Sequence, residues 1–161
     1  MKIMISGGVK SGKSRYALEL ADKLFPGERT FLATAIPFDG EMRERISRHQ
    51  QERGSSFTTV EESVEIHKQA GENLLLDCVT IWMNNLFHYK QEDRWEEILE
   101  KFLKSLGENA IIVTNETGLG NIPMNSVTRK YNRYLGAANY KIAAEMDSVY
   151  FMVSGIPIKV K

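Results

Sequence analysis

The stretch Met1-Lys2-Ile3-Met4-Ile5-Ser6-Gly7-Gly8-Val9-Lys10-Ser11-Gly12-Lys13-Ser14 joins an apolar hexamer of strand type to the full pattern G-x-x-x-x-G-K-S. This pattern reads as a phosphate-binding loop of a nucleoside triphosphate enzyme. To wrap a phosphate with its N–H groups pointing inward, the backbone needs angles that a Cβ would block, which is the work of Gly7, Gly8 and Gly12. Lys13 then reaches the β and γ phosphates, and Ser14 offers its hydroxyl to Mg²⁺. A helix expected over residues 15–24 points its positive end at the anion. The competing reading is a Gly/Ser/Lys turn matching by chance. It leaves unexplained the strand before the loop and the helix after it, which are the context this motif requires. Gly7, Gly8, Val9, Lys10, Ser11, Gly12, Lys13 and Ser14 are therefore the candidate nucleotide-binding set.

Length and composition bound what surrounds the loop. With 161 residues, 42% of them hydrophobic, residues 1–161 are expected to form a single nucleotide-binding domain. Lys plus Arg and Asp plus Glu each total 21, so no global field favours nucleic acid or an anionic membrane, and any anion site must be local. The one cysteine, Cys78, allows no internal disulfide and makes no zinc site alone. No apolar run approaches a membrane span, and a cytoplasmic protein is expected.

Downstream, apolar runs alternate with helical periodicity. Residues 30–35 read as a strand, residues 41–52 as a charged helix, residues 57–61 as an edge strand and residues 63–70 as a short helix begun by Ser63. The run Asn73-Leu74-Leu75-Leu76-Asp77 suits a strand covered on both faces. Val79, Met83, Leu86 and Phe87, and then Trp95, Ile98, Leu99, Phe102, Leu103 and Leu106, repeat at helical spacing. Residues 110–116 form the next strand, followed by a glycine loop at 117–121. A helix over 126–146 turns Val127, Tyr131, Leu135, Ala138, Ile142 and Met146 inward, and residues 148–153 and 156–160 close the chain as a hairpin. The expected fold is α/β: a P-loop NTPase-type, mainly parallel sheet flanked by helices, with a C-terminal hairpin.

Ligands of such sheets lie beyond the carboxyl ends of the strands. Asp77 stands there, either holding Mg²⁺ or capping the helix that starts at Val79. Glu116 is a lesser candidate in the equivalent place, where Gly118 and Gly120 equally suit an ordinary tight turn. In the charged helix, taken over 41–53, Met42 and Ile46 fix one stripe, and at 100° per residue His49 and Arg53 fall on it, with Arg45 at its border. Burying imidazole and guanidinium is costly without partners, so this face reads either as a second phosphate-facing group or as a surface helix. His67 and His88 read as solvated, Cys78 as a packed thiol, and Arg129, Lys130, Arg133 and Lys141 as a solvated helix face.

These residues together resemble the bifunctional adenosylcobinamide kinase/adenosylcobinamide-phosphate guanylyltransferase family. The likeness runs through the phosphate loop, Ala33-Thr34-Ala35, Glu41-Met42 with Arg45-Ile46 and His49, Leu75-Leu76-Asp77-Cys78, Val113-Thr114-Asn115-Glu116 with Gly118 and Gly120, Ile122-Pro123, and Val153-Ser154-Gly155-Ile156. Arg48, where some members carry a second histidine, and Lys10, where many carry arginine, depart from the pattern. The resemblance implies a transferase that phosphorylates adenosylcobinamide with ATP or GTP. It then passes GMP from GTP to that phosphate through a guanylylated histidine, here His49. It also implies that Thr34 and Glu61 help line the nucleotide site, that the partners are a corrinoid and nucleotides with Mg²⁺, and that subunits assemble as homotrimers. Two other readings stay open: a P-loop small-molecule kinase with no covalent GMP step, and a non-catalytic nucleotide switch.

Overall fold

Apolar runs become strands here because both faces of the sheet are covered. The computed structural model describes residues 1–36, 56–120 and 122–161. Its strands are β1 (Lys2–Gly7), β2 (Thr30–Ala33), β3 (Thr58–Glu61), β4 (Leu74–Asp77), β5 (Ala110–Val113), β6 (Ser148–Val153) and β7 (Ile156–Lys159). They form one sheet in the order β3-β2-β4-β5-β1-β6-β7. Every pairing is parallel except β6 with β7. The helices are α1 (Lys13–Leu24), α2 (Val79–His88), α3 (Trp95–Ser105) and α4 (Ser126–Glu145).

The side-chain period of two sorts the central strands into two cores. Ile3 and Ile5 of β1, Leu75 of β4, and Ile111 and Val113 of β5 pack with Ala17 and Ala21 of α1. Their neighbours Met4, Leu74, Leu76, Ala110 and Ile112 face the other way, onto α2, α3 and α4. Register keeps the two sets apart: Ile3 pairs with Ile111, and Leu75 with the same Ile111. Asn125 caps α4 by accepting hydrogen bonds from the N–H groups of Val127 and Thr128, at 2.8 and 3.1 Å.

The expected α/β architecture and hairpin are present, with local differences. Residues 63–70 hold only a 3₁₀ turn, Ile66–Gln69. Glu62, not Ser63, organises its approach, its carboxylate accepting from the N–H groups of Val64 and Glu65 at 2.9 Å each. Val127 is not inward but 61% exposed. The buried residues of α4 start at Leu135, so its first turns lie beyond the core. His67 is not solvated either. Its ring is mostly covered, with Nδ1 3.5 Å from a Glu65 carboxylate that also pairs with Arg94 at 2.8 Å. The helix expected over 41–52, with Arg45, His49 and Arg53, lies outside the described residues.

Candidate nucleotide-phosphate site

The chain leaves β1 through Gly7, where φ is +151° and a Cβ would stand 2.7 Å from the Met152 carbonyl oxygen. It enters α1 through Gly12 at φ +92°, where a Cβ would meet the Gly155 Cα at 3.3 Å. Both ends of the loop thus press on the β6–β7 hairpin, and the Gly155 N–H donates to the Ser11 carbonyl at 3.0 Å. A side chain at either glycine would push the loop off this support. Lys13, the first residue of α1, is buried, and its Nζ donates to the Gly8 carbonyl at 2.5 Å. The ammonium is therefore held inside the curve of the loop, where an anion would gather the backbone N–H groups.

Ser14 and Asp77 meet across the sheet. The Ser14 hydroxyl donates to Asp77 Oδ2 at 3.0 Å. The position before α2 is occupied by Cys78, and no side-chain hydrogen bond caps that helix, so the capping role read for Asp77 is not seen. Asp77 lies at the end of β4, which β5 separates from β1. A hydroxyl beside a carboxylate is a hard-oxygen pair suited to Mg²⁺, which takes its remaining ligands from water and phosphate.

A cavity of about 400 Å³ opens in front of this pair. Its near wall is the loop from Val9 through Ser14 together with Arg15, and its floor is Asp77 and Cys78. The lining also includes Thr80, Ile81 and Asn84 of α2 and Asn115 just after β5, the strand between β1 and β4, residues that motif reading did not assign to the site. Helix phase was the available signal: Thr80, Ile81 and Asn84 share a side of α2 opposite the buried Trp82, Met83 and Leu86. Burial pushes the Cys78 thiol up to about 12, with the Asp77 charge adding to the effect. At neutral pH it is an inert packing group, as its sequence context implied.

The remaining candidates separate by position. Thr34 is fully buried; its hydroxyl donates to the Cys78 carbonyl at 2.9 Å and accepts from the Cys78 N–H at 3.0 Å. It fastens β2 to the end of β4 and is not among the cavity-lining residues. Asn85 strengthens this join, donating to the carbonyls of Thr34 and Ser63 at 2.7 and 3.0 Å. Glu61 ends the edge strand β3, in register with Ala33. Glu116 accepts from the N–H of Gly118 at 2.6 Å, which is the tight-turn arrangement. Lys130 pairs with Glu92 and Asp93 at 3.0 and 3.1 Å, and Lys141 with Glu96 and Glu100 at 2.7 and 2.9 Å. Together these lysines tie α4 to α3 and to the turn before it.

A parallel sheet with a glycine cradle after β1, Lys13 and Ser14 opening α1, and a strand-end carboxylate against that serine define a nucleotide-binding protein of the P-loop NTPase type. More narrowly, the chain belongs to the cobinamide kinase/cobinamide phosphate guanyltransferase family, whose model matches residues 3–160. It is 36% identical to the bifunctional adenosylcobalamin biosynthesis protein CobP of Pseudomonas aeruginosa, over all of this chain and 98% of that protein. It is 33% identical to the bifunctional adenosylcobalamin biosynthesis protein CobU of Escherichia coli K12, over the full length of both. Among solved structures, the KaiC-like protein PH0186 of Pyrococcus horikoshii aligns with 93% of this chain and 69% of its own, at 14% identity and a TM-score of 0.49.

Proposed function

We propose that this chain, acting as one transferase unit over residues 1–161, phosphorylates the terminal hydroxyl of adenosylcobinamide with ATP or GTP. It then transfers GMP from GTP to the new phosphate, giving adenosylcobinamide-GDP and pyrophosphate. The observation that carries this reading is the Ser14–Asp77 hydrogen bond beside the cradled Lys13, in a chain of this family from residue 3 to residue 160. Lys13 and the loop N–H groups hold the triphosphate and oppose charge building on the transferred phosphoryl group. Ser14 and Asp77 would hold Mg²⁺, which when bound neutralises phosphate charge.

The second reaction needs a nucleophile better than a phosphate monoester. Neutral imidazole attacks the α-phosphorus, expels pyrophosphate and leaves a labile P–N bond that the corrinoid phosphate then displaces. His49 is assigned this role from the family resemblance and from the stripe it shares with Arg53, beside Arg45; these two arginines would stabilise the phosphates. Because the imidazole must be unprotonated, guanylyl transfer falls as pH drops through the histidine range. Incubation with GTP labelled on the α-phosphate tests the step. The expected label survives alkali, is lost in acid and is absent from His49→Ala. Corrinoid phosphorylation with no bound label under any Mg²⁺ condition identifies a simple kinase instead. Trimeric assembly rests on the family resemblance and is checked by light scattering of the purified chain.

A further inference from the structure

The cavity lining combines two chemistries. The loop and the start of α1 carry the cations Lys10, Lys13 and Arg15, whereas the lining residues from α2 and from the end of β5 are all neutral. Asp77 is the single carboxylate among the described lining residues, and it is engaged by Ser14. On α2, Thr80 and Asn84 stand one turn apart, with Ile81 between them in the lining. Asn84 is exposed, and asparagine is a poor helix former. It neither caps nor packs α2. Asn115 is held by its backbone: its N–H donates to Thr80 Oγ1 at 2.7 Å and its carbonyl accepts from Asn139 Nδ2 at 3.1 Å. The structure records no hydrogen bond from either side-chain amide, Asn84 or Asn115, to a described residue. Thr80 is itself anchored, since its carbonyl accepts from the Tyr131 hydroxyl at 3.0 Å. Two amides with no hydrogen bond to a described residue, one of them on a backbone held by Thr80 and Asn139, thus line the same cavity as a cationic phosphate cradle.

We propose that Asn84 and Asn115 form the acceptor subsite, holding the arm of the substrate whose end is an alcohol in the first reaction and a phosphate monoester in the second. This rests on the function proposed above. Its physical basis is that one subsite must accept a neutral hydroxyl and later a dianion on the same arm. A carboxylate placed to bind the alcohol would repel its phosphate, and a lysine would hold the phosphate product too tightly to release it. A primary amide donates and accepts, so it serves both forms at little electrostatic cost. The loose transition state of phosphoryl transfer asks mainly for positioning of the attacking oxygen, to which Asn115, with its backbone held by Thr80 and Asn139, and Asn84, carried on α2, contribute.

The test uses the purified full chain with adenosylcobinamide as acceptor and a non-hydrolysable triphosphate analogue as nucleotide probe. In Asn84→Ala and Asn115→Ala the acceptor KM is expected to rise roughly 3- to 10-fold, the loss of one neutral hydrogen bond each. Affinity for the analogue should stay within about 2-fold, which also shows that the variants fold. Asn84→Asp keeps the shape and adds charge, so transfer to adenosylcobinamide phosphate should fall about 100-fold while phosphorylation of the alcohol falls far less. Unchanged acceptor KM in both alanine variants, with an active wild type, overturns the subsite alone. So does a loss of analogue affinity as large as the change in acceptor KM. Equal effects of Asn84→Asp on the two reactions overturn its service to both substrates. A wild type that transfers nothing to the corrinoid overturns the proposed function, and this inference with it.

Discussion

Two glycine-bearing loops leave neighbouring strands of the sheet, and only one of them is a cradle. The loop after β1 is pinned from outside itself: a Cβ at Gly7 would meet the Met152 carbonyl at 2.7 Å, and Ser11 accepts from the Gly155 N–H. The loop after β5 is tied at its start, by Asn115 to Thr80 and Asn139 and by the Glu116 N–H to the Gly7 carbonyl, but its glycines press on no other element. Glu116 accepts from the N–H of Gly118, a Cβ at Gly120 would meet nothing within 4 Å among the described residues, and Leu119 is 79% exposed. The first loop runs straight into α1 and carries a buried lysine, whereas the second reaches its helix only at Ser126. Glycine content alone therefore does not make an anion site. The helix that follows at once, and the support from a third element, make the difference.

Breaking the cradle should have the largest effect. Lys13→Ala is expected to lower phosphoryl transfer roughly 10²- to 10³-fold in single-turnover assays, with folding retained. Next, Gly7→Ala should cost about 3 kcal/mol in urea unfolding, since it combines overpacking against backbone with an unfavourable φ. A Gly7→Ala protein as stable as wild type would mean that β6 is not the brace described.

The floor of the cradle gives a smaller, pH-dependent effect. The folded Cys78 thiol titrates near 12 against an ordinary value of 9.0, so the unfolded chain loses this proton first as pH rises. The stability it contributes is complete below pH 9 and declines from there towards 12, by about 1 kcal/mol at pH 10. Urea titrations of wild type and Cys78→Ala at pH 8 and pH 10 isolate it. Smallest of all, Gly120→Ala should change stability by less than about 0.5 kcal/mol and leave nucleotide affinity unaltered.

The sequence exposed those features that depend on neighbours in the chain. The phosphate loop has fixed spacing, and Leu74-Leu75-Leu76 announces a strand buried on both faces by its unbroken apolar run. Asp77 is legible as a strand-end carboxylate, but its hydrogen bond to Ser14 depends on β4 lying two places from β1. The clasp between Thr34 and Cys78 was hidden for the same reason, because it exists only once β2 and β4 are adjacent. Asn84 went unassigned, and Asn115 entered only within the Val113-Thr114-Asn115-Glu116 likeness, because an asparagine on a helix surface and another past a strand end carry no spacing signal of their own. Val127 misled by period: it keeps the helical spacing of the inward stripe, yet the first turns of α4 pass beyond the sheet that would cover it. His67 misled by its polar neighbours, which fold over it instead of giving way to water.

The hairpin that steadies Gly7 and Gly12 comes from β6 and β7, the last strands in sequence order. A chain still on the ribosome, with those strands yet to emerge, already owns every residue of the motif but lacks the surface that shapes it. Competence to grip a triphosphate should therefore wait until β6 and β7 have emerged, long after the residues that do the gripping have been made.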